Sequence, residues 1–161
     1  MEPWLTGEIT DLHPIQAALL YSFQQATQDL RQWTEGLTDE QIWRRNGKIA
    51  PVGFHIRHIA GSVDRLMTYA MGKQMDDSQM QVLKQEQSEN GTGREELLAS
   101  LEDQLFRSGE VIRSIDISAL TEMREIGRKR IPVPLGVLLV HISEHTQRHV
   151  GEAIVTTKTV R

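Results

Sequence analysis

The sequence contains no cysteine among its 161 residues. This absence excludes disulfides, thiolate nucleophiles and cysteine-based zinc sites, so only histidine, aspartate or glutamate could hold a metal ion. Long hydrophobic runs are also missing. The longest apolar stretch, residues 133–140, is interrupted by Pro134 and Gly136 and is far shorter than the ~20 apolar residues of a membrane span. We therefore expect no membrane-spanning segment.

An excess of positive charge is likewise lacking. Lysine and arginine number 18 against 22 aspartates and glutamates, which gives a net charge of −4. Phosphate backbones attract proteins with a positive field, so we expect no nucleic-acid partner. The first ten residues lack the basic and then apolar pattern of a secretory signal. The expected compartment is therefore the cytoplasm.

The remaining composition is that of a globular protein, with 39% hydrophobic and 25% charged residues. We expect residues 1–161 to form a single domain. No stretch combines sustained apolar–polar alternation with hairpin signals, so no sheet is predicted. Apolar residues instead recur at spacings of three and four over about residues 14–37, 52–72, 94–115 and 134–156. This pattern predicts an all-α fold, a four-helix bundle with long crossover connections.

The helix ends and connections carry their own signals. His13 stands alone beside a helix start and is interpreted as a cap-region residue. Thr38 and Gln41 have the spacing of a capping box, which predicts a short helical turn. The longest connection, residues 73–93, is rich in polar residues and can include a short helix. Residues 116–133 interrupt the helical pattern with Gly127 and Pro132, and a second proline, Pro134, follows directly.

Histidines are the most informative residues, because five of the six lie in two groups: His55 and His58 near the start of the second long helix, and His141, His145 and His149 in the last. Steps of four residues turn an α-helix by about 400°, so the last three share one face. His145 and His149 fall where the apolar stripe would continue, and unpaired imidazoles there would be costly. A divalent ion, held by these two rings and one from the second long helix, would offset that cost.

Helical geometry leaves two candidates for the third ligand. The apolar residues of the second long helix, among them Ile56, Ile59 and Val63, define the helix face that points toward the core. At 100° per residue, His55 lies about 70° from the centre of this face and His58 about 130° from it. Periodicity alone therefore slightly favours His55, and both histidines remain candidates.

Other interpretations compete with a metal-dependent enzyme. The histidines could be hydrogen-bonded to water and carboxylates in a non-catalytic helical binding or dimerisation module. A di-iron oxidase would need repeated Glu-x-x-His pairs and a zincin protease His-Glu-x-x-His, and the sequence contains neither. Two basic clusters could recognise an anionic thiol or partner, but we interpret them as solvated surface: Arg44, Arg45 and Lys48, and Arg128, Lys129 and Arg130.

Two segments resemble the DinB/YfiT-like superfamily. Residues 53–60 read Gly-Phe-His-Ile-Arg-His-Ile-Ala, and residues 145–152 read His-Thr-Gln-Arg-His-Val-Gly-Glu. The order of the four long helices is similar as well, over nearly the whole chain. Glu152 departs from the glutamine that many members carry after the glycine. A carboxylate at that position could hydrogen-bond a ligating imidazole.

The resemblance implies a ligand set. In this family a histidine of the second long helix joins the two histidines of a His-x-x-x-His-x-Gly motif on one metal ion. The matching positions are His58, His145 and His149. On this basis His58 is the expected third ligand. His55 is expected either to replace His58 as an alternative ligand or to donate a hydrogen bond to one of the ligands.

The resemblance also implies a function. Family members include thiol-dependent transferases, such as bacillithiol S-transferases, and proteins described as metal-dependent hydrolases. For this chain it implies a divalent ion, zinc or nickel, that activates water or a low-molecular-weight thiol against a small-molecule substrate. The expected reaction is hydrolysis or S-transfer, and the expected assembly is a homodimer.

Overall fold

A computed structural model describes residues 1–88 and 91–161. In these parts of the chain the α-helices are α1 (Pro14–Thr34), α2 (Asp39–Trp43), α3 (Val52–Ala70), α4 (Asp77–Gln85), α5 (Arg94–Ser114) and α6 (Leu135–Val160). Two strands, β1 (Met123–Ile126) and β2 (Ile131–Pro134), and two 3₁₀ turns, Pro3–Leu5 and Ile117–Thr121, complete the described elements. The predicted all-α fold is confirmed.

The four long helices pack in a closed ring. α5 and α6 each contact both α1 and α3, so α1 lies diagonally across from α3. The connections from α1 to α3 and from α5 to α6 therefore cross the ends of the bundle, as predicted. Aliphatic side chains fill the centre, including Leu19, Leu30, Ile56, Ile59, Leu98, Leu101, Ile112, Leu139 and Ile142. Among the described residues, no helix has both the length and the apolar character needed to cross a membrane.

Local signals at the helix starts act as the sequence predicts. Nδ1 of His13 accepts a hydrogen bond from the Ile15 amide at 3.3 Å, and Gln16 accepts one from the amide of His13. His13 is therefore the N-cap of α1. Thr38 and Gln41 form the predicted capping box at the start of α2.

The helix boundaries differ from the predicted ones by a few residues. α1 ends at Thr34, because Gly36 adopts a left-handed conformation with φ of +76° and turns the chain. Pro134 precedes α6 as its N-cap, and the helix continues to Val160, four residues beyond the predicted end. These shifts leave the four apolar stripes in place.

The connection predicted over residues 73–93 contains α4, so the short helix is present. Its N-cap, Asp76, accepts a hydrogen bond from the amide of Gln79. Residues 89 and 90 of this connection lie outside the described residues. The end of α4 is tied to α3, because the Arg57 guanidinium donates hydrogen bonds to the carbonyl oxygens of Gln85 and Ser88.

The prediction that the chain contains no sheet is wrong. β1 and β2 pair as an antiparallel hairpin, with Met123 opposite Pro134 and Ile126 opposite Ile131. Each strand has only four residues, which is too short for sustained alternation. The prolines that indicated a break lie in an isolated two-stranded sheet, where a missing N–H can face away from the partner strand. Gly127, with φ of +69°, begins the turn between the strands.

Candidate metal centre

α3 and α6 pack side by side and bring five histidines to one side of the bundle. His55 and His58 come from the first two turns of α3, and His141, His145 and His149 from successive turns of α6. The ring centroids of His58 and His149 lie 4.4 Å apart, and those of His145 and His149 lie 4.7 Å apart. Ligand nitrogens of His58, His145 and His149 lie within 4.8 Å of one another. The three histidines predicted as ligands therefore form one group.

The core stripe of α6 passes beside these rings. Ile142, Thr146 and Val150 are buried, whereas His145 and His149 are half-buried on the flank that faces α3. The two histidines therefore lie beside the core stripe, each one residue before a buried position of α6. The flank position keeps each ring in contact with protein and leaves part of it open to solvent.

Protein side chains hold the His58 ring from two directions. Its Nδ1 lies 2.7 Å from Oε2 of Glu86, a residue that directly follows α4 and is 2% exposed. The other carboxylate oxygen of Glu86 accepts a hydrogen bond from Arg65 of α3. The Phe54 ring stacks on His58, with centroids 5.2 Å apart and planes at 17°. Because a carboxylate only accepts, the Glu86 contact favours the tautomer of a neutral His58 ring that carries its proton on Nδ1, and in this tautomer Nε2 keeps its lone pair.

The two α6 rings of the group have similar partners. Oγ of Ser62 lies 3.1 Å from Nδ1 of His145, and Oε2 of Glu152 lies 3.2 Å from Nδ1 of His149. The Glu152 carboxylate thus contacts an imidazole of the group, as its position three residues after His149 on the same helix permits. In all three rings Nδ1 has a protein partner, so Nε2 is the nitrogen left for a further ligand.

His149 also belongs to a second group. Nδ1 of His55 lies 3.1 Å from Nδ1 of His149 and 3.3 Å from Oε2 of Glu152. These donor atoms are close enough to hold an ion as an alternative set. His55 is 3% exposed and thus more buried than the half-buried His58, in agreement with the angles calculated from the sequence. Both candidates for the third ligand therefore lie beside His149.

Burial keeps several of these imidazoles neutral. Desolvation lowers the pKa of His55 to about 4 and that of His145 to about 4, and neighbouring histidines lower both further. Desolvation also lowers the pKa of His149, and its electrostatic interaction with the neighbouring His58 imidazole is the next cause. The Glu152 carboxylate opposes the shift at His55 and His149. Neutral imidazole is the form that binds metal ions, so these rings are in their ligand form at neutral pH.

The chemistry of this donor set suits a divalent transition-metal ion. Imidazole nitrogens are preferred ligands of zinc and nickel, and metal-binding histidines characteristically donate their second ring N–H to a carboxylate or another polar group. The Phe54 ring contacts the rings of His55, His58 and His149 and closes one side of the group. Three protein ligands from two helices leave further coordination positions for water or substrate.

An exposed polar cluster borders the group on α6. Nδ1 of His141 lies 3.3 Å from Oε2 of Glu144, and Arg148 forms an ion pair with the same carboxylate. All three side chains are about half exposed. His141 therefore lies at the rim, with its ring centroid 5.6 Å from that of His145.

Sequence reasoning missed the residues that hold the His58 and His145 rings. Glu86 belongs to a polar connection and follows no motif, so no local signal identifies it. Ser62 and Arg65 follow His58 at spacings of four and seven, which place all three on one helix face. The sequence does not show that Arg65 is buried, because the face that it shares with His58 lies far from the apolar face of this helix, so the carboxylate partner of Arg65 could not be predicted.

Comparison with curated proteins gave no match. Comparison with protein families matches residues 22–153 to the DinB superfamily. The matched span begins within α1 and ends within α6, seven residues before the end of that helix. It contains both histidine groups. The match covers well over half of the sequence and agrees with the helical fold, and the chain therefore belongs to the DinB superfamily.

Proposed function

We propose that this chain binds one divalent ion, zinc or nickel, through His58, His145 and His149 and uses it to activate a small nucleophile. The nucleophile is water in a hydrolase or a low-molecular-weight thiol in an S-transferase, and it reacts with a small-molecule substrate. The observation that carries the proposal is the convergence of the three rings from α3 and α6, with ligand nitrogens within 4.8 Å, in a chain of the DinB superfamily.

The chain's own residues prepare this centre in two ways. The neutral rings leave the full positive charge of the ion available, because no carboxylate belongs to the proposed ligand set. Glu86, Ser62 and Glu152 engage the Nδ1 atoms and orient the rings. When bound, the ion supplies a Lewis acid that lowers the pKa of a coordinated water or thiol toward neutrality.

The first test measures metal content in protein purified without a histidine tag and reconstituted with zinc or nickel. We expect one ion per chain in the wild type and a large loss in His145→Ala and in His149→Ala, because each removes one of three ligands. The matched control is His13→Asn, which removes a histidine and keeps an N-cap on α1. Unchanged metal content in both α6 variants would contradict the ligand assignment.

The second test asks whether the loaded protein is an enzyme. We expect turnover with thiol acceptors or with an ester and amide panel, a requirement for the ion, and a rate that rises with pH until a second group titrates. The competing function is the non-catalytic helical module. That function is correct if the loaded protein turns over nothing and if the metal-free and loaded forms bind a protein partner equally.

A further inference from the structure

We propose that Glu86 is a positioning residue for His58. Arg65 holds the Glu86 carboxylate in place, and Gly61 leaves the space that this carboxylate occupies. The inference rests on the proposed function, because the orientation of His58 matters for an ion bound at Nε2. Glu86 lies outside the four long helices, directly after α4. It therefore brings a side chain from the connection between α3 and α5 to the centre formed by α3 and α6.

The burial of Glu86 indicates a specific role. A carboxylate that is 2% exposed is costly unless each oxygen has a partner. Here Oε2 accepts from Nδ1 of His58 at 2.7 Å and Oε1 accepts from the Arg65 guanidinium. The Glu86 carboxylate thus contacts the Arg65 guanidinium with one oxygen and the candidate ligand His58 with the other.

Gly61 supplies the space for this arrangement. A Cβ atom at residue 61 would overlap Oε1 of Glu86 and would come within 2.7 Å of Nη1 of Arg65. Any side chain at this position would therefore displace the carboxylate or the guanidinium. By contrast, a Cβ atom at Gly151 of α6 would have no neighbour within 4 Å.

A separate contact fixes the backbone that carries Glu86. Arg57 donates hydrogen bonds to the carbonyl oxygens of Gln85 at 3.2 Å and Ser88 at 2.7 Å, on either side of Glu86. The Arg57 guanidinium also lies 4.6 Å from the centroid of the Trp43 ring. Two arginines of α3 thus hold this segment, one through its backbone and one through the carboxylate.

The isosteric variant Glu86→Gln tests whether Glu86 sets the tautomer of His58 or only neutralises the charge of Arg65. Arg65 can only donate, so it selects the amide oxygen and turns the amide –NH₂ toward His58. Nδ1 of His58 must then accept, and the ring proton moves to Nε2, the atom that the ion requires. A carboxylate that only neutralised Arg65 would leave the tautomer of His58 unchanged on substitution.

The tautomer is measured in metal-free protein by ¹⁵N NMR of the imidazole nitrogens at a pH where His58 is neutral. We expect the Nδ1–H tautomer in the wild type and the Nε2–H tautomer in Glu86→Gln. In titrations with Zn²⁺ alone we expect the dissociation constant to rise about 10- to 100-fold in Glu86→Gln and in Gly61→Ala. The control Glu102→Gln makes the same change in a glutamate of α5 that pairs with Arg31, and should bind Zn²⁺ as the wild type does.

The outcomes separate this inference from the proposed function. An Nε2–H tautomer of His58 in the wild type contradicts the inference, and this measurement requires no variant to fold. A folded Glu86→Gln protein with unchanged tautomer and unchanged Zn²⁺ affinity also contradicts it. A wild type that binds neither Zn²⁺ nor Ni²⁺ contradicts the proposed function, whereas the tautomer still reports what Glu86 does to His58.

Discussion

At the scale of single residues, the neutral histidines of the site make the stability of the metal-free protein depend on pH. Free histidine titrates near 6.5, whereas burial lowers the pKa of His55 and His145 to about 4. Between these values the unfolded chain binds protons that the folded chain does not bind. The stability that the neutral His55 and His145 rings contribute to the folded protein is therefore fully present above pH 6.5. It is lost as the pH falls toward 4.

We accordingly expect the free energy of unfolding of the metal-free protein to fall between pH 7.5 and pH 4.5. The loss should be on the order of 2 kcal/mol, after allowance for solvent screening at the partly exposed His145 ring. Urea denaturation at several pH values measures it. His55→Gln should reduce the slope, because it removes one of the two most shifted groups. A flat profile over this range would contradict the neutral state that we assign to the rings.

The choice between His55 and His58 can be tested at the same scale. We expect His58→Ala to weaken Zn²⁺ binding more than His55→Ala, because His58 belongs to the proposed ligand group, whereas His55 contacts one of its members, His149. The expected losses in affinity are at least about 100-fold and about 10-fold, respectively. Isothermal titration of both variants measures them. The reverse order would select the group of His55, His149 and Glu152.

At the scale of the elements, the start of α3 packs closely on α2. A Cβ atom at Gly53 would lie 2.9 Å from two carbon atoms of the Trp43 ring and 3.0 Å from the Ile42 side chain. We expect Gly53→Ala to lower the free energy of unfolding by about 1–3 kcal/mol, because the buried ring must shift. Urea denaturation of the metal-free protein provides the measurement.

The control for this variant is Gly151→Ala in α6, where the added methyl group meets no neighbour within 4 Å. Alanine is the better helix former, so this change should raise the free energy of unfolding by about 0.5–1 kcal/mol. Equal effects of the two substitutions would mean that helix propensity, and not contact with Trp43, determines the result at Gly53.

The long helices could be predicted from sequence because their signals are local and repeated. His13 and Thr38 cap the helices that follow them, and apolar spacings of three and four persist over many turns. The hairpin was not predictable in this way, since four residues per strand give no period. Glu86 and His58 are 28 residues apart, and a contact between two side chains at that separation leaves no pattern in one sequence.

The site was predictable only in part for the same reason. The spacing of His145 and His149 on one helix indicates a shared face, and the family resemblance selects His58. The burial of His55 and its contact with His149 depend on how α3 packs against α6. Helical angles gave the correct order of burial for His55 and His58, but burial does not decide which ring binds an ion.

At the scale of the whole molecule, an exposed apolar surface accompanies the start of α6. Val137 and Val140 are 57% and 53% exposed and line a cleft with Ile15 and Leu120. The family resemblance implies a homodimer, and we propose that this surface lies in its interface, because burial of apolar area favours association.

Light scattering at micromolar concentration tests the dimer. We expect the mass of two chains for the wild type and a shift toward one chain for Val140→Glu. The matched control is Val155→Glu, which places the same charge at an exposed valine near the other end of α6 and should leave the mass unchanged. A monomer mass for the wild type at every concentration would contradict the proposal.

The position of Glu86 has a consequence for protein engineering. A simplified bundle, designed from α1, α3, α5 and α6 with short loops, would retain His58, His145 and His149 on their helices. It would lack the carboxylate that contacts His58, because that carboxylate comes from the end of α4. Grafting this centre onto another scaffold therefore requires the connection between α3 and α5, together with the glycine and the arginine of α3 that receive it.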